Sequence, residues 1–274
     1  VTVSWAAPEV RAANERALVL CRTLGESGQL FRALFGVWSN RQVQADYRAA
    51  RPIAGQLLTL AAQAQDDGLQ LQARRANGIL ALHGGQFADA LHHCDAGMAL
   101  YDPARHRAHV AQYWMDPGVG CRCYGAWALM FLGRPDSAVQ RAAQALALAR
   151  EGAHDFSLAY ALHFAAVVHH LRREAEPTRA HAQALRDLSQ DKGFPVLQAW
   201  GTLLLGCALA HDGRTDEGSA LIRHAQHAMH SAGARVSRSA TLAELAAVHL
   251  RGGQTEPGLA AVDEGLAFVE HSDE

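Results

Sequence analysis

The sequence holds 16 histidines and five cysteines in 274 residues, so metal binding and nucleophilic chemistry are tested first against spacing. Zinc needs four converging nitrogen or sulfur ligands, often drawn from i,i+3 or i,i+4 positions of one helix. His92-His93 beside Cys94, and His169-His170, are adjacent residues that point about 100° apart on a helix. Cys121-x-Cys123 diverges in the same way. His224 and His227 share a helix face while His230 drifts off it, which suits adventitious metal better than a built site. A serine or cysteine nucleophile needs a histidine and an orienting acid beside it. Ser157 lies near His154 and Asp155 in sequence, but such close neighbours at a helix start diverge, and Asp155 reads as the helix N-cap. Cys21, Cys94 and Cys207 fall in apolar periodic runs, where thiols serve as packing. No Gly-x-x-x-x-Gly-Lys-Ser/Thr loop is present to cradle phosphate. These spacings predict no catalytic residue, no metal site and no cofactor.

Binding is the chemistry the remaining polar residues suit. The stretch 101–118 gathers Tyr101, Asp102, His106, Arg107, His109, Tyr113, Trp114 and Asp116. It reads either as a ligand loop or as turns at Asp102-Pro103 and Asp116-Pro117-Gly118 with aromatics capping a groove. A second group is expected along one concave surface: Arg74, Asn77, Arg122, Tyr124, Tyr160, His163, Gln198 and Trp200, with Arg238 and Glu244. Arg74 and Arg122 could hold a carboxylate or phosphate through forked hydrogen bonds. The aromatic residues supply contact area at low entropic cost. The alternative is a solvated groove with its aromatics packed between helices.

Those candidates need elements to position them. Alanine is about a fifth of the chain and leucine is the other dominant residue, both strong helix formers. β-Branched residues are few, so strands have little to be made from. Turns recur at Ala45-Asp46-Tyr47, Gly85-Gln86-Phe87, Gly133-Arg134-Pro135, Arg172-Arg173-Glu174, Gly213-Arg214-Thr215 and Gly253-Gln254-Thr255. The period is near 40 residues, with one insertion of about eight that coincides with 101–118. Small residues keep fixed offsets from these turns, as at Gly78, Ala126, Ala165, Gly206 and Ala246, where helices can cross closely. Trp38 breaks this pattern in the first unit, and Pro177 fits only the first turn of its helix.

Each unit therefore reads as a helix pair. The first (A) helices are expected over 29–43, 69–83, 119–132, 155–170, 195–211 and 236–251. The second (B) helices are expected over 47–65, 87–100, 136–151, 176–190, 215–231 and 255–270, with an extra helix from Pro8 to Leu24. Helix stops are expected at Asp66-Asp67-Gly68, Gly152, Lys192-Gly193 and Gly233. The fold class is all-α: a right-handed α-solenoid forming a single superhelical domain over 1–274, with the A helices lining its concave face.

Small residues at these offsets resemble the tetratricopeptide repeat (TPR), with a period longer than its usual one. Leu100-Tyr101-Asp102-Pro103-Ala104-Arg105-His106-Arg107, Asp116-Pro117-Gly118-Val119, His154-Asp155-Phe156-Ser157-Leu158-Ala159 and Leu171-Arg172-Arg173-Glu174 resemble one subset more closely. These are the TPR-like tails of bacterial signalling proteins, in which an adenylate/guanylate cyclase or other output domain precedes an AAA/NB-ARC-type ATPase. The resemblance implies a non-catalytic sensor or protein-interaction tail that regulates an adjoining ATPase or cyclase-type output. Its implied partners are a protein, a peptide, a small effector or its own ATPase domain. A scaffold that mediates homo-oligomerisation is the other reading, and a stand-alone enzyme is disfavoured.

Charge narrows the field. A net charge of −2 and a pI near 6.8 argue against nucleic-acid binding. No apolar run is long enough for a membrane span, and Val1–Trp5 does not read as a signal peptide. The odd cysteine count implies no disulfide framework, so a cytoplasmic setting is expected. Lys192 is the one lysine among 25 basic residues, which points to a GC-rich bacterial genome. A start without Met and an end after a helical segment suggest a fragment of a longer protein.

Overall fold

The computed structural model describes residues 8–24 and 27–272; Val1–Trp5 lies outside them. The chain forms helix α1 (Pro8–Leu24) and then six antiparallel pairs: α2 (Ser27–Val43) with α3 (Tyr47–Ala64), α4 (Asp67–His83) with α5 (Phe87–Leu100), α8 (Pro117–Phe131) with α9 (Pro135–Gly152), α10 (Asp155–Leu171) with α11 (Ala175–Lys192), α12 (Pro195–His211) with α13 (Thr215–Ser231), and α14 (Arg238–Arg251) with α15 (Thr255–Ser272). No strand occurs among the described residues. The insertion is not a loop. It winds into α6 (Pro103–His106), a 3-10 turn (Arg107–His109) and α7 (Val110–Tyr113).

One local device is repeated at the turn inside each pair. Ala45, Gly85, Gly133, Arg173, Gly213 and Gly253 all have positive φ, at spacings of 40, 48, 40, 40 and 40 residues. The period is thus more regular than the sequence landmarks suggested, because the left-handed residue of the fourth turn is Arg173 and not Arg172. At every turn that residue and the next donate backbone N–H groups to the last helical turn, as in Gly85 to Leu82 (3.0 Å) and Gln86 to Ala81 (2.8 Å). This is the Schellman arrangement, which satisfies carbonyls a helix end leaves open. Glycine suits the left-handed position because it has no Cβ.

Gly193 and Gly233 take left-handed positions at the ends of α11 and α13, as expected, but the other two breaks depart from expectation. Gly68 lies inside α4 and Gly152 is the last residue of α9, while Gln65 and Ala153 take the left-handed cap positions. The N-cap of α10 is His154, whose ring accepts the Ser157 N–H at 3.3 Å; Asp155 is the first helical residue and pairs with Lys192 at 3.3 Å.

Small residues do allow close packing. A Cβ on Gly206 would lie 2.7 Å from the Gly218 carbonyl oxygen, so α12 and α13 meet backbone to backbone. Pro177 sits in the first turn of α11, where a missing N–H is tolerated. Two buried cores overlap along the stack, one spanning Phe31 to Leu197 and the other Ala166 to Ala261. The solenoid curls far enough for its extremes to touch. The N–H groups of Arg235 and Val236, just before α14, both donate to the Val43 carbonyl at the end of α2 (2.9 and 3.0 Å).

Candidate functional site

The curl encloses a cavity of about 960 Å³. Its walls come from α1, the A helices, the insertion and the connecting turns, and no B-helix residue lines it. The volume lies near the upper end of small-molecule pockets and can seat several side chains of an extended peptide.

Aromatic rings from successive A helices dominate the walls. Tyr124 packs edge-on against Phe164 with centroids 4.8 Å apart, and Trp127 does the same at 5.5 Å. His163 lies 4.8 Å from Trp200. Phe35 of α2 packs against Tyr113 at 4.9 Å, and Phe156 meets Phe194 at 5.3 Å. Trp114 has left-handed backbone and stands 63% exposed on the same wall. Such rings offer broad apolar contact with a few polar tips.

The polar tips are held without full charges. The Tyr124 and Tyr160 hydroxyls share a 2.6 Å hydrogen bond. Burial pushes the Tyr160 phenol up to about 12 and the Tyr124 phenol well above its ordinary range. Burial also brings His163 down to about 3, so its ring is neutral, and its Nδ1 has no hydrogen-bond partner. Arg32, Asp155 and His154 add polar groups to the wall.

The cavity gathers Tyr124, Tyr160, His163 and Trp200 from the expected concave face. The other six face elsewhere or stay off the wall. Asn77 donates to the Ala54 and Ala73 carbonyls and so clamps α4 to α3. Arg74 approaches His93 of α5, and Arg122 donates to the Met98 sulfur of α5. The reason is helical phase: one residue is about 100°, so Arg75 turns to the core where Arg74 turns to the neighbouring B helix. Arg75 is 4% exposed, donates to Gln72 and stacks over Phe35 at 5.2 Å. Gln198 does not line the cavity, and Arg238 pairs with Glu264 and covers Phe268.

The insertion candidates hold the fold together. Asp116 caps α8 by accepting the Gly118 and Val119 N–H groups, and it also accepts the Tyr101 hydroxyl at 2.8 Å. His106 is buried and accepts the Asp102 N–H. Tyr113 is buried against Phe31 and Phe35. Arg107 pairs with Glu151. The insertion reaches the cavity through Gln112 and Trp114 instead.

Sequence reasoning passed over Phe35, His83, Trp127, Phe156 and Phe164. A usable signal was present: Trp127 to Phe164 and His163 to Trp200 are both 37-residue steps, and Tyr124 to Tyr160 is 36. Contacts between successive A helices thus fall about one helical turn short of the 40-residue period.

His154 and Ser157 do meet, at 2.9 Å from Nδ1 to Oγ. Ser157 is 1% exposed and its oxygen also accepts the Asp116 N–H. The cavity beside them is only about 30 Å³, room for one water-sized molecule.

In overall shape the chain is similar to several solved helical-repeat proteins. NprR, solved in complex with its cognate peptide NprX, matches with a TM-score of 0.62 at 14% identity, covering 87% of this chain and 67% of that one. The apo form of RapI matches at 0.59 and 8% identity, covering 88% and 83%. BtubC (BKLC) from P. vanneervenii matches at 0.53 and 17% identity, covering 82% and 90%. No protein-family model matches the sequence, and no curated protein matches it. At such identities the likeness establishes the fold alone: this chain is a TPR-like helical-repeat solenoid.

Proposed function

We propose that this chain is a non-catalytic regulatory module that takes a peptide, or an extended segment of a protein, into the cavity of its inner face. The observation that carries this reading is the aromatic wall built by α2, α4, α8, α10 and α12 around about 960 Å³. NprR, which shares the fold, is solved with a peptide bound. The absence of catalysis is supported by the commitment of Ser157 to a backbone N–H and of Asp155 to Lys192. A ligand spanning several A helices would favour one curvature of the stack, and this change would pass to an adjoining ATPase- or cyclase-type output. No helix of the described residues is long and apolar enough to cross a membrane, and we place the module in the cytoplasm.

The test is selection from a displayed random-peptide library, followed by thermal unfolding with the selected peptides. A ligand that binds only the folded state raises the midpoint by mass action. Trp200→Ala and Trp114→Ala should weaken binding about tenfold or more, while Gln198→Ala leaves it unchanged. Peptides that bind all three variants alike would remove the cavity as the site.

A second reading has its own support. Leu259, Val262 and Leu266 are exposed along one face of α15, at 60%, 42% and 60%. An exposed apolar face of this kind favours association with a second copy. Light scattering against concentration decides this: a constant monomer mass excludes it.

A further inference from the structure

We propose that His170, Cys207 and Glu244 form a zinc-class metal site that ties α10, α12 and α14 together. One ligand atom from each lies within 4.8 Å of the other two. His170 Nε2 stands 3.0 Å from one Glu244 carboxylate oxygen, and Cys207 Sγ stands 3.9 Å from the other. Tetrahedral zinc with bonds of about 2.0–2.3 Å separates its ligands by about 3.4–3.7 Å, so small side-chain adjustments would close the site.

The donor set decides the class of ion. One nitrogen, one sulfur and one carboxylate suit Zn²⁺, whereas Mg²⁺ and Ca²⁺ take oxygen ligands. A water molecule can take the fourth position, and the His211 ring stands 5.9 Å from that of His170. A thiolate and a carboxylate together neutralise a divalent ion. Without a cation the thiol is kept protonated, because burial and the nearby Glu244 both push it up. Burial alone would raise the Glu244 carboxyl, but the hydrogen bond from His170, with Arg251 and His211 nearby, outweighs burial and holds it below its ordinary value. Metal binding would release the Cys207 proton to solvent, while the proton on His170 Nε2 would be exchanged for one on its buried Nδ1, so that the ring stays neutral as it ligates. Arg251 and Arg173 are the cations beside this cluster that oppose a metal ion.

Both steps between ligands are 37 residues, the same step that pairs His163 with Trp200 one floor away on the same helix faces. Reading for pairs within one helix could not find ligands that come one from each of three helices.

The test uses the full chain, stripped with chelator and titrated with Co²⁺ as a spectroscopic substitute for Zn²⁺. One Co²⁺ per chain should bind with a thiolate-to-cobalt charge-transfer band, and Zn²⁺ should displace it. Cys207→Ser should abolish the band. Glu244→Gln should weaken binding by about tenfold or more, since loss of even an outer partner costs that much. His224→Ala/His227→Ala should keep the band. Absence of the band in the unaltered chain, or its survival in Cys207→Ser, overturns the proposal. Where circular dichroism shows Cys207→Ser to be unfolded, Glu244→Gln decides: unchanged Co²⁺ affinity overturns the site.

Discussion

The region from α2 to α10 and the region from α12 to α15 share one period and one turn chemistry, yet they use their interiors differently. In the first, rings from Phe35 to Phe164 fill the inner face and hold the A helices around open space. In the second, the fully buried groups are Ile222, Val248, Cys207 and alanines, and Gly206 meets Gly218 backbone to backbone. Large rigid side chains leave gaps that aliphatic chains and glycine contacts close. The space enclosed by this solenoid thus follows from the side chains mounted on the helix pairs and from the insertion, which adds Gln112 and Trp114 to the wall.

Substitutions can break this contrast from either side. Phe164→Ala removes a ring that touches Tyr124, Trp127, Tyr160 and His163, and should cost about 3–5 kcal/mol in urea unfolding. A cost below about 1 kcal/mol would mean that the ring is not part of the packed wall. Gly206→Ala should cost about 1–3 kcal/mol, because its methyl meets a carbonyl oxygen that cannot move aside. Gly55→Ala, inside α3 with nothing within 4 Å of the added Cβ, is the control: the same helix-propensity gain without a clash should stabilise by about 0.5–1 kcal/mol.

Acid sharpens the comparison. The folded protein keeps His163 neutral down to about pH 3, while the unfolded chain takes up its proton below the ordinary 6.5. The unfolded state therefore binds more protons as pH falls. The stability this histidine allows is complete above about 6.5 and is lost progressively towards 3. Between pH 7 and pH 5 the loss should be about 2 kcal/mol, and His163→Phe should remove it. A variant with an unchanged pH profile would assign the acid sensitivity to other groups. The smallest effect concerns the contact between the two regions. Val236→Pro deletes one donor to Val43, costs about 1 kcal/mol, and should lengthen the maximum dimension seen by small-angle scattering.

The helices were legible because their signals are local. Glycine at the left-handed turn position and apolar periodicity place each element within a few residues, although Asp66, read as part of a helix stop, is the N-cap of α4. The inner face was half legible. Tyr124, Tyr160, His163 and Trp200 line the cavity, whereas Arg74 and Asn77 turn to α5 and α3, and α4 reaches the cavity through His83. An error of a single residue rotates a side chain by about 100°, and the boundaries read from the sequence carry errors of that size. The insertion was misread as a loop because Asp102-Pro103 and Asp116-Pro117 look like turns, whereas both aspartates cap helices with proline at the first position. The His170–Cys207–Glu244 cluster was illegible without the one-turn offset between A helices, which only the packing supplies.

The bonds from Arg235 and Val236 to Val43 also change how the molecule can respond to load. A stack of repeats with loose ends behaves as a spring: any push is shared out as a gradual change of pitch. Tied ends make a hoop. Small rotations that would part the end of α2 from the turn before α14 add up at the clasp, where they work against the two hydrogen bonds to Val43.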